Sequence, residues 1–492
     1  MKTIPRLQSR KCELLLAVLA STALGTTTIC AHEGHEHATI AVKPAEMYKP
    51  TPMPDRIVLT LNGDPRTSRA VTWRTSVDVP KGIAEITEAE ANPYFSEKSK
   101  PLAATSTALK TDINTAHFHT VKFSDLKPGK KYVYRVGDGT NWSEWFHFKT
   151  AAAKNEPFSF IYFGDAQNNI RSMWSRVIRE AYSDAPKAAF LLHAGDLINN
   201  AEADAEWGEW FGAGAWVNAM MPNVAIPGNH EQAKLADGKR QLSHHWRPQF
   251  DFPLNGPRGL EESCFTIRYH NMLLICMNSN EQQDLQAEWL DKVLSENDAT
   301  WVVCTFHHPI FSTGKDRDNK ELRALWKPIF DKYKVDLVLQ GHDHTYGRTG
   351  FEVPSTLENE RKTPVAVSAG SPSIGSAALV QTVASKVPAT LANVPTGVQA
   401  VDGQSGTVYV VSVSGPKMYD NQRQAFMKRL GEDTQLYQVI HIDGDKLRFE
   451  ARTAIGELYD AFELHKKSGS INELIEIEPE VPQNLRPEKA VR

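Results

Sequence analysis

The sequence predicts two folded parts in succession, an all-β sandwich and then an α/β domain whose sheet is covered on both faces. Three observations lead to this prediction. Residues from about 55 to 150 alternate apolar and polar side chains in short runs between turn residues. From residue 156, short apolar runs alternate with segments whose apolar residues recur every three or four positions. Five of these runs are each closed by a polar cluster.

Composition is that of an ordinary soluble globular protein. The chain has 492 residues, of which 41% are hydrophobic and 23% charged. Its formal net charge of −4 provides no overall electrostatic footprint for nucleic acid, so no nucleic-acid partner is expected. The sequence leaves the oligomeric state open.

The first 31 residues have the pattern of a cleaved secretory signal. Basic residues precede the apolar stretch Leu14–Leu24, and small residues follow as far as Ala31. An uncleaved anchor is the alternative, but the stretch is shorter than the roughly 20 apolar residues that span a bilayer. A secreted, periplasmic or extracellular protein without a membrane span is therefore predicted. Residues 32–54 form a linker rich in His and then Pro, whose histidines either capture metal or belong to an unstructured tail.

Residues 55–152 are predicted to form the β-sandwich, with strands at 56–61, 70–75, 117–123 and 131–137. The stretch Leu126–Val136 resembles the end of a fibronectin type III domain, and 145–150 would be its last strand. No constellation of titratable side chains occurs in this sequence segment, so a structural or packing role is expected for it.

Residues 153–465 are predicted to form the α/β domain. Its helical segments are 170–181, 285–295 and 321–333, and a hairpin joins 263–269 to 272–277. A Ser/Thr/Ala/Val/Pro-rich insertion at 351–404 is either a lid over the site or a disordered segment. Strands resume at 407–413, 437–442 and 446–452, and 466–492 reads as a charged tail.

Three cysteines follow the predicted signal peptide, too few for a disulfide framework. Cys264 and Cys276 lie on opposite arms of the predicted hairpin and are close enough in sequence to pair. Cys276 and Cys304 also lie inside apolar strands, where a buried thiol is expected.

The five polar clusters follow the apolar runs 158–163, 190–194, 224–227, 301–306 and 335–339. They are Gly164-Asp165, Gly195-Asp196, Gly228-Asn229-His230-Glu231, His307-His308-Pro309 and Gly341-His342-Asp343-His344. Because the loops at the carboxyl ends of such strands form the ligand crevice of a sheet, these side chains are expected to converge. Oxygen and imidazole donors without cysteine suit borderline divalent or trivalent metals rather than calcium. His193, inside an apolar run, is predicted to be packed.

Two metal ions at about 3.5–4 Å can clamp a phosphoryl group and activate a bridging water as the nucleophile. Asp196 is the natural bridge, because a carboxylate has two oxygens to share. Asp165 and His344 would complete one ion. The other ion would take Asn229, His307 and His342. His230 could donate a proton to the leaving alkoxide as a general acid.

The order of these motifs resembles the calcineurin-like metallophosphoesterase superfamily, and with the fibronectin-like front part the chain looks like purple acid phosphatases. The resemblance implies a four-layer α/β/β/α metallophosphoesterase domain and a phosphoester hydrolase, with phosphomonoesters as the expected substrates. It implies two divalent ions (Fe, Zn or Mn) on the same ligands, and His230 as the catalytic histidine. The family's His-x-Pro spacing selects His307 as the ligand and leaves His308 to contact a ligand or the substrate.

The sequence departs from the family at two positions. Purple acid phosphatases have a metal-binding tyrosine three residues after the bridging aspartate, which gives the colour, and here that residue is Asn199. Other members have a histidine two residues after the first aspartate, and here it is Gln167. Gln167 and Asn199 are expected either to bind the first metal or to contact its ligands. Because a neutral donor replaces the phenolate, a colourless enzyme is predicted.

Substrate recognition is less well defined by the sequence. The family's substrate-facing histidines are absent, and 312–318 stands in their place. Arg247, Arg317 and His308 are the candidate substrate-binding residues, with surface charge or a solvated loop as the alternative. A phosphodiesterase is the first alternative function, and a non-catalytic extracellular binding protein with structural metals is the second.

Overall fold

The computed structural model describes residues 41–354 and 406–487, and its first part is built almost entirely of strands. A short helix, α1 (Pro44–Met47), precedes them. Between residues 55 and 149 the strands are β1 (Asp55–Thr60), β2 (Arg69–Ser76), β3 (Ile83–Glu88), β4 (Lys100–Ala103), β5 (Thr105–Lys110), β6 (Thr115–Phe123), β7 (Lys131–Gly137) and β8 (Phe146–Lys149).

These strands form two facing sheets, which confirms the predicted all-β part. One sheet has the order β1–β2–β6–β5 and the other the order β4–β3–β7–β8. Trp73, Phe123, Tyr134 and Phe148 are buried in the core between them. Strands β3, β4 and β5 are not among those predicted from the sequence. In β5 most side chains are exposed, so the apolar alternation that marks a half-buried strand is missing.

The second part alternates strands and helices. Its strands are β9 (Phe158–Phe163), β10 (Leu191–His193), β11 (Asn223–Ala225), β12 (Gln232–Lys234), β13 (Arg240–Leu242), β14 (Phe265–Tyr269), β15 (Met272–Cys276), β16 (Trp301–Thr305), β17 (Leu337–Gln340), β18 (Tyr346–Thr349), β19 (Val408–Val411), β20 (Met427–Gly431), β21 (Leu436–Asp443), β22 (Lys446–Thr453), β23 (Leu458–His465) and β24 (Glu473–Ile477). Its helices are α2 (Ser175–Asp184), α3 (Asp204–Met220), α4 (Trp246–Gln249), α5 (Gln283–Ser295) and α6 (Lys320–Tyr333).

Two sheets carry the five apolar runs that the polar clusters close. Strands β9, β10 and β11 pair in parallel in the larger sheet, and β15, β16, β17 and β19 pair in parallel in the second. The runs therefore belong to two sheets, where the sequence pattern alone indicates one. Because each run is buried on both faces, its composition does not reveal which sheet holds it.

Helices cover the outer faces of both sheets, and this confirms the α/β fold class. Helices α2 and α3 contact strands of the larger sheet. On the other side, Trp326 and Phe330 of α6 pack on Phe306, which follows β16. The inner faces meet where the Tyr162 hydroxyl contacts the carbonyl of Gln340. The order helix–sheet–sheet–helix is the layering that the family resemblance implies.

The β-sandwich and the α/β part share one sheet. Strand β1 pairs in parallel with β11 through Thr60 and Asn223, so the larger sheet runs on into the sandwich. Beside this junction the buried Arg56 of β1 contacts the buried Asp204 of α3 at 2.6 Å. Removing one partner of such a buried pair is costly, because the other charge is left without compensation. The two parts predicted on either side of residue 152 are therefore joined by strand pairing and by a buried ion pair.

Several predicted segments lie wholly or partly outside the residues that the structure describes. The predicted signal peptide, most of the linker and nearly all of the insertion at 351–404 lie outside them. The predicted tail at 466–492 is corrected in part, since β24 pairs with β23 there. Two of the five residues of β24 are glutamates and three are exposed, so the sequence gives little sign of a half-buried strand. Cys264, Cys276 and Cys304 are buried free thiols. Among the residues that the structure describes, every helix is too short or too polar to cross a bilayer.

Candidate metal centre

The candidate centre lies at the carboxyl ends of five strands drawn from both sheets. Three of its residues follow β9, β10 and β11 of the larger sheet, and three follow β16 and β17 of the second sheet. The first three are Asp165, Asp196 and Asn229, and the others are His307, His342 and His344.

The first ligand group consists of Asp165, Asp196 and His344, whose ligand atoms lie within 4.8 Å of one another. His344 Nε2 lies 3.2 Å from Asp165 Oδ2, and His344 Nδ1 lies 2.9 Å from the carbonyl oxygen of Lys417. Because a carbonyl oxygen only accepts, Nδ1 carries the proton and Nε2 presents its lone pair to the carboxylate. Two acceptors facing each other in this way fit a cation between them.

The second group consists of Asp196, His307 and His342, again within 4.8 Å. His307 Nε2 lies 3.2 Å from Asp196 Oδ2, 3.1 Å from His342 Nδ1 and 3.3 Å from Asn229 Oδ1. His307 Nδ1 lies 2.8 Å from the carbonyl oxygen of Ala194, so it donates there and directs Nε2 into the group. Asp196 belongs to both groups, which is the arrangement that a bridging carboxylate requires.

The turns that present these ligands are conformationally demanding. Asp196 and His342 have φ of 51° and 75°, in the left-handed region that is costly for residues with a side chain. A Cβ on Gly195 would lie 2.5 Å from the backbone nitrogen of Gly228. A Cβ on Gly341 would lie 2.3 Å from Asp165 Oδ1. Glycine at both positions lets the loops approach closely enough to form the centre.

Burial and mutual proximity change the protonation of the cluster. Burial raises the pKa of Asp165 to about 8, and the charge of Asp196 adds to this effect. Burial opposes protonation of His307, but Asp196 and Asp165 together raise its pKa to about 9. Burial lowers the pKa of His344 to about 4 and keeps it neutral. The buried carboxylates therefore attract positive charge, as a metal-binding site does.

Gln167 and Asn199 differ in their relation to the centre. The Gln167 side-chain amide lies 2.9 Å from Asp196 Oδ2 and 3.0 Å from His344 Nε2, inside the first ligand group. The Asn199 side chain instead accepts from Asn168 at 3.1 Å. Of the two residues that replace the family's ligands, only Gln167 has its side chain in contact with the cluster.

His230 lies against the centre without joining either ligand group. Its backbone N–H donates to Asp196 Oδ1 at 2.9 Å, and its Nδ1 lies 2.5 Å from the carbonyl oxygen of Asn199. The carbonyl accepts, so Nδ1 carries a proton and Nε2 is the nitrogen left to exchange one. The ring is thus fixed in both orientation and tautomer.

Two buried carboxylates, for which the sequence predicts no role, hold the loops of the candidate ligands in place. Glu231 accepts from the backbone N–H groups of Asp196, Leu197 and Gly228 at 2.7–2.8 Å. Asp343 accepts from the Ser312 hydroxyl and from backbone N–H groups at Thr313 and Gly314. Both residues belong to the polar clusters, and this position is the one feature of the sequence that could have indicated a role for them. Their hydrogen-bonding partners depend on loops that sequence does not bring together.

The predicted substrate-binding residues have separate locations. The half-buried His308 ring lies 4.4 Å from that of His342, and desolvation lowers its pKa to about 3. Arg317 donates to the carbonyl of His342 at 3.0 Å and to Asp343 at 3.2 Å. Arg247 instead has Glu261 and Glu262 as its ion-pair partners, at 3.7 and 3.9 Å. The structure brings His308 and Arg317 to the centre and does not bring Arg247 there.

A cavity of about 490 Å³ opens beside the second ligand group. Asn229 and His308 form its boundary with the centre, and Arg240, Gln283, Glu281 and Glu321 are among its other lining residues. Arg240 also donates to the carbonyl of Asn229 at 3.0 Å. A small polar molecule bound here would therefore lie next to the candidate ligands.

Comparison with known proteins agrees with this architecture. The family model for the purple acid phosphatase N-terminal domain matches residues 54–150, and that for calcineurin-like phosphoesterases matches residues 158–346. A solved purple acid phosphatase from seeds of yellow lupin (Lupinus luteus) aligns over 89% of this chain and 78% of its own, with a TM-score of 0.64 and 16% identity. That likeness bears on the fold alone.

The curated relatives share about a quarter of the aligned residues with this chain. An uncharacterized protein of Mycobacterium tuberculosis is 25% identical over 350 residues, covering 61% of this chain and 63% of its own. Fe(3+)-Zn(2+) purple acid phosphatase 12 of Arabidopsis thaliana is 24% identical over 283 residues, covering 52% and 58%. The chain thus spans about three-fifths of the length of these relatives. The chain therefore carries a purple acid phosphatase N-terminal domain at residues 54–150, followed by a calcineurin-like phosphoesterase domain at residues 158–346.

Proposed function

We propose that this protein is a metal-dependent phosphoester hydrolase whose substrates are phosphomonoesters. The observation that carries the proposal is the pair of ligand groups that share Asp196 beside a polar cavity. A single structural ion would need one such group. Two groups with a common carboxylate match the requirement for a dinuclear centre.

The donor set fits two divalent ions of iron, zinc or manganese. Asp165 and His344 would hold one ion, and Asn229, His307 and His342 the other, with Asp196 between them. When bound, such a pair of ions orients the phosphoryl group, stabilises its negative charge and makes water a nucleophile at neutral pH. The imidazole and oxygen donors favour these metals over calcium.

The chain's own residues supply the proton and the binding site for the leaving group. His230, fixed by the carbonyl of Asn199, would protonate the departing oxygen through Nε2. The adjoining cavity would receive the alcohol part of the substrate. His308 stays neutral there because desolvation lowers its pKa, so it can offer a hydrogen bond without adding charge.

The phosphomonoesterase activity is supported by the name of the Arabidopsis thaliana relative, a purple acid phosphatase. A phosphodiesterase of the same superfamily is the first alternative, and a binding protein with structural metals is the second. The complete ligand set beside His230 favours catalysis over the binding protein.

Rates with 4-nitrophenyl phosphate and bis(4-nitrophenyl) phosphate, with and without chelator, separate the three functions. We expect chelator-sensitive hydrolysis that is faster for the monoester. Faster diester hydrolysis would support the phosphodiesterase, and no hydrolysis of either ester would support the binding protein. Asp196→Ala should abolish turnover, whereas Asp298→Ala, at an exposed ion pair with Arg268, should not. Full activity of Asp196→Ala would show that the bridging assignment is wrong.

We also propose that the protein is exported from the cytoplasm, as the pattern of residues 1–31 indicates. Amino-terminal sequencing of the protein recovered from its native host should give a mature chain that starts close to residue 32. An intact N-terminus would contradict export by cleavage.

A further inference from the structure

A second group of metal-ligating side chains lies apart from the candidate centre. Glu202, in the loop between β10 and α3, meets His244 and His245, which precede α4. Their ligand atoms lie within 4.8 Å of one another. The proposed function assigns these residues no role.

The hydrogen bonds of His244 identify its free nitrogen. His244 Nε2 lies 3.3 Å from the carbonyl oxygen of Lys110, which can only accept, so Nε2 carries the proton. His244 Nδ1 then presents a lone pair directly to the Glu202 carboxylate, with which it is in close contact. A divalent cation that binds both of these atoms would replace their direct contact.

His245 contributes a second neutral imidazole. It is completely buried, and burial lowers its pKa to about 4. Its Nε2 has no hydrogen-bond partner among the described residues and lies 3.8 Å from Asp204 Oδ1. Its Nδ1 lies 3.3 Å from the Ser243 hydroxyl, which has Glu202 and the carbonyl of Ala201 as alternative acceptors. The ring therefore keeps an uncommitted electron pair in a neutral form that can bind a metal.

The group is also accessible. The side chains of His244 and Glu202 are 49% and 37% exposed, so an ion can reach them without opening of the fold. Two imidazoles and one carboxylate, with water in the remaining position, are a ligand set that zinc uses in proteins. The imidazoles argue against calcium or magnesium.

We propose that Glu202, His244 and His245 form a separate binding site for a divalent ion of the zinc class. The ion would join two segments that support the catalytic histidine. The loop that contains Glu202 also provides the Asn199 carbonyl that fixes His230. The segment before α4 contacts the residue that follows His230, because Ser243 N–H donates to the carbonyl of Glu231 at 2.9 Å.

The test measures zinc bound to the full-length protein after equilibrium dialysis at a fixed free zinc concentration. We expect His244→Ala and Glu202→Gln each to bind one ion fewer than the wild type. His465→Ala is the matched control, since His465 also contacts a carboxylate, Glu463 at 2.8 Å, but without a second histidine. That variant should bind as many ions as the wild type. All of these proteins keep the His-rich N-terminus, so its binding cancels in the comparison.

Cobalt substitution provides a second measurement. We expect the d–d absorption of one Co²⁺ per chain to be lost in His244→Ala and Glu202→Gln and kept in Asp196→Ala, which lacks only the candidate bridge of the centre. This comparison keeps the test independent of the proposed function. Thermal melting in chelator should show equal stability for the wild type and both variants. Equal zinc content and equal cobalt spectra in the wild type and both variants would overturn the proposal.

Discussion

Glu231 is hydrogen-bonded to Asp196 through the backbone, with the Asp196 N–H donating to Glu231 Oε2 at 2.8 Å. The same oxygen accepts from Gly228 N–H at 2.7 Å, so one buried carboxylate joins the loops after β10 and β11. Those loops contribute Asp196 and Asn229 to the candidate centre. The candidate metal ligands are therefore positioned by a residue that does not itself belong to either ligand group.

We predict that Glu231→Gln weakens metal binding by about 10- to 100-fold, the usual effect of removing a partner that orients metal ligands. The substituted amide cannot accept on both arms, so one set of backbone N–H groups loses its acceptor. Calorimetric titration of metal-depleted protein with Zn²⁺ measures the change. Glu261→Gln is the control, because Glu261 accepts a backbone N–H of Gly259 at an exposed turn. Unchanged zinc affinity in Glu231→Gln would contradict the prediction.

We predict that the effect of His230→Gln depends on the leaving group. If Nε2 protonates the departing oxygen, the substitution should lower kcat about 10²- to 10⁴-fold for phenyl phosphate. The loss should be much smaller for 4-nitrophenyl phosphate, whose leaving group needs less protonation. Metal content measured on the same samples should equal that of the wild type. An equal loss of kcat for both esters would argue against the general-acid role.

Some features of the candidate centre are predictable from the sequence, and others depend on tertiary packing. The six candidate ligands lie in polar clusters that begin with Gly or His and follow apolar runs, so their convergence is predictable from strand ends alone. Glu231 and Arg247 show the limit. Glu231 accepts from Asp196 and Leu197, which are 35 and 34 residues away in sequence. Arg247 is directed by tertiary packing toward Glu261 and Glu262. The division of the strands between two sheets is likewise not predictable from the sequence, because strands buried on both faces have the same composition in either sheet.

We predict that the metal-loaded protein has no intense visible absorption band. The position that carries the colour-giving tyrosine in purple acid phosphatases holds Asn199, whose side chain is directed to Asn168. Tyr419, whose ring lies 4.6 Å from that of His344, is the phenol to test if a band is found. Absorption spectra of iron-loaded wild type and Tyr419→Phe provide the measurement. A strong band in the wild type would contradict the prediction, and its loss in Tyr419→Phe would identify the phenolate.

We predict that His193 makes the fold less stable in mild acid. As the sequence predicts, it is a packed histidine: it is fully buried against Trp174 and Trp210, and its Nε2 donates to Asn223 Oδ1 at 3.1 Å. Burial lowers its pKa from 6.5 to about 4. Above pH 6.5 the residue is neutral in both states. Between pH 6.5 and 4 only the unfolded chain takes up the proton, so stability falls, by roughly 2–3 kcal/mol at pH 4.5.

His193→Gln should reduce this acid sensitivity, because glutamine can still donate to Asn223 but does not titrate. Urea unfolding of wild type and variant at pH 7 and pH 4.5, in chelator so that metal release does not contribute, measures the difference. The free energy of unfolding should fall by roughly 2–3 kcal/mol less in the variant than in the wild type. His465→Gln, a substitution on the partly exposed strand β23, should follow the wild type. An equal fall in His193→Gln and wild type would mean that other groups cause the acid destabilisation.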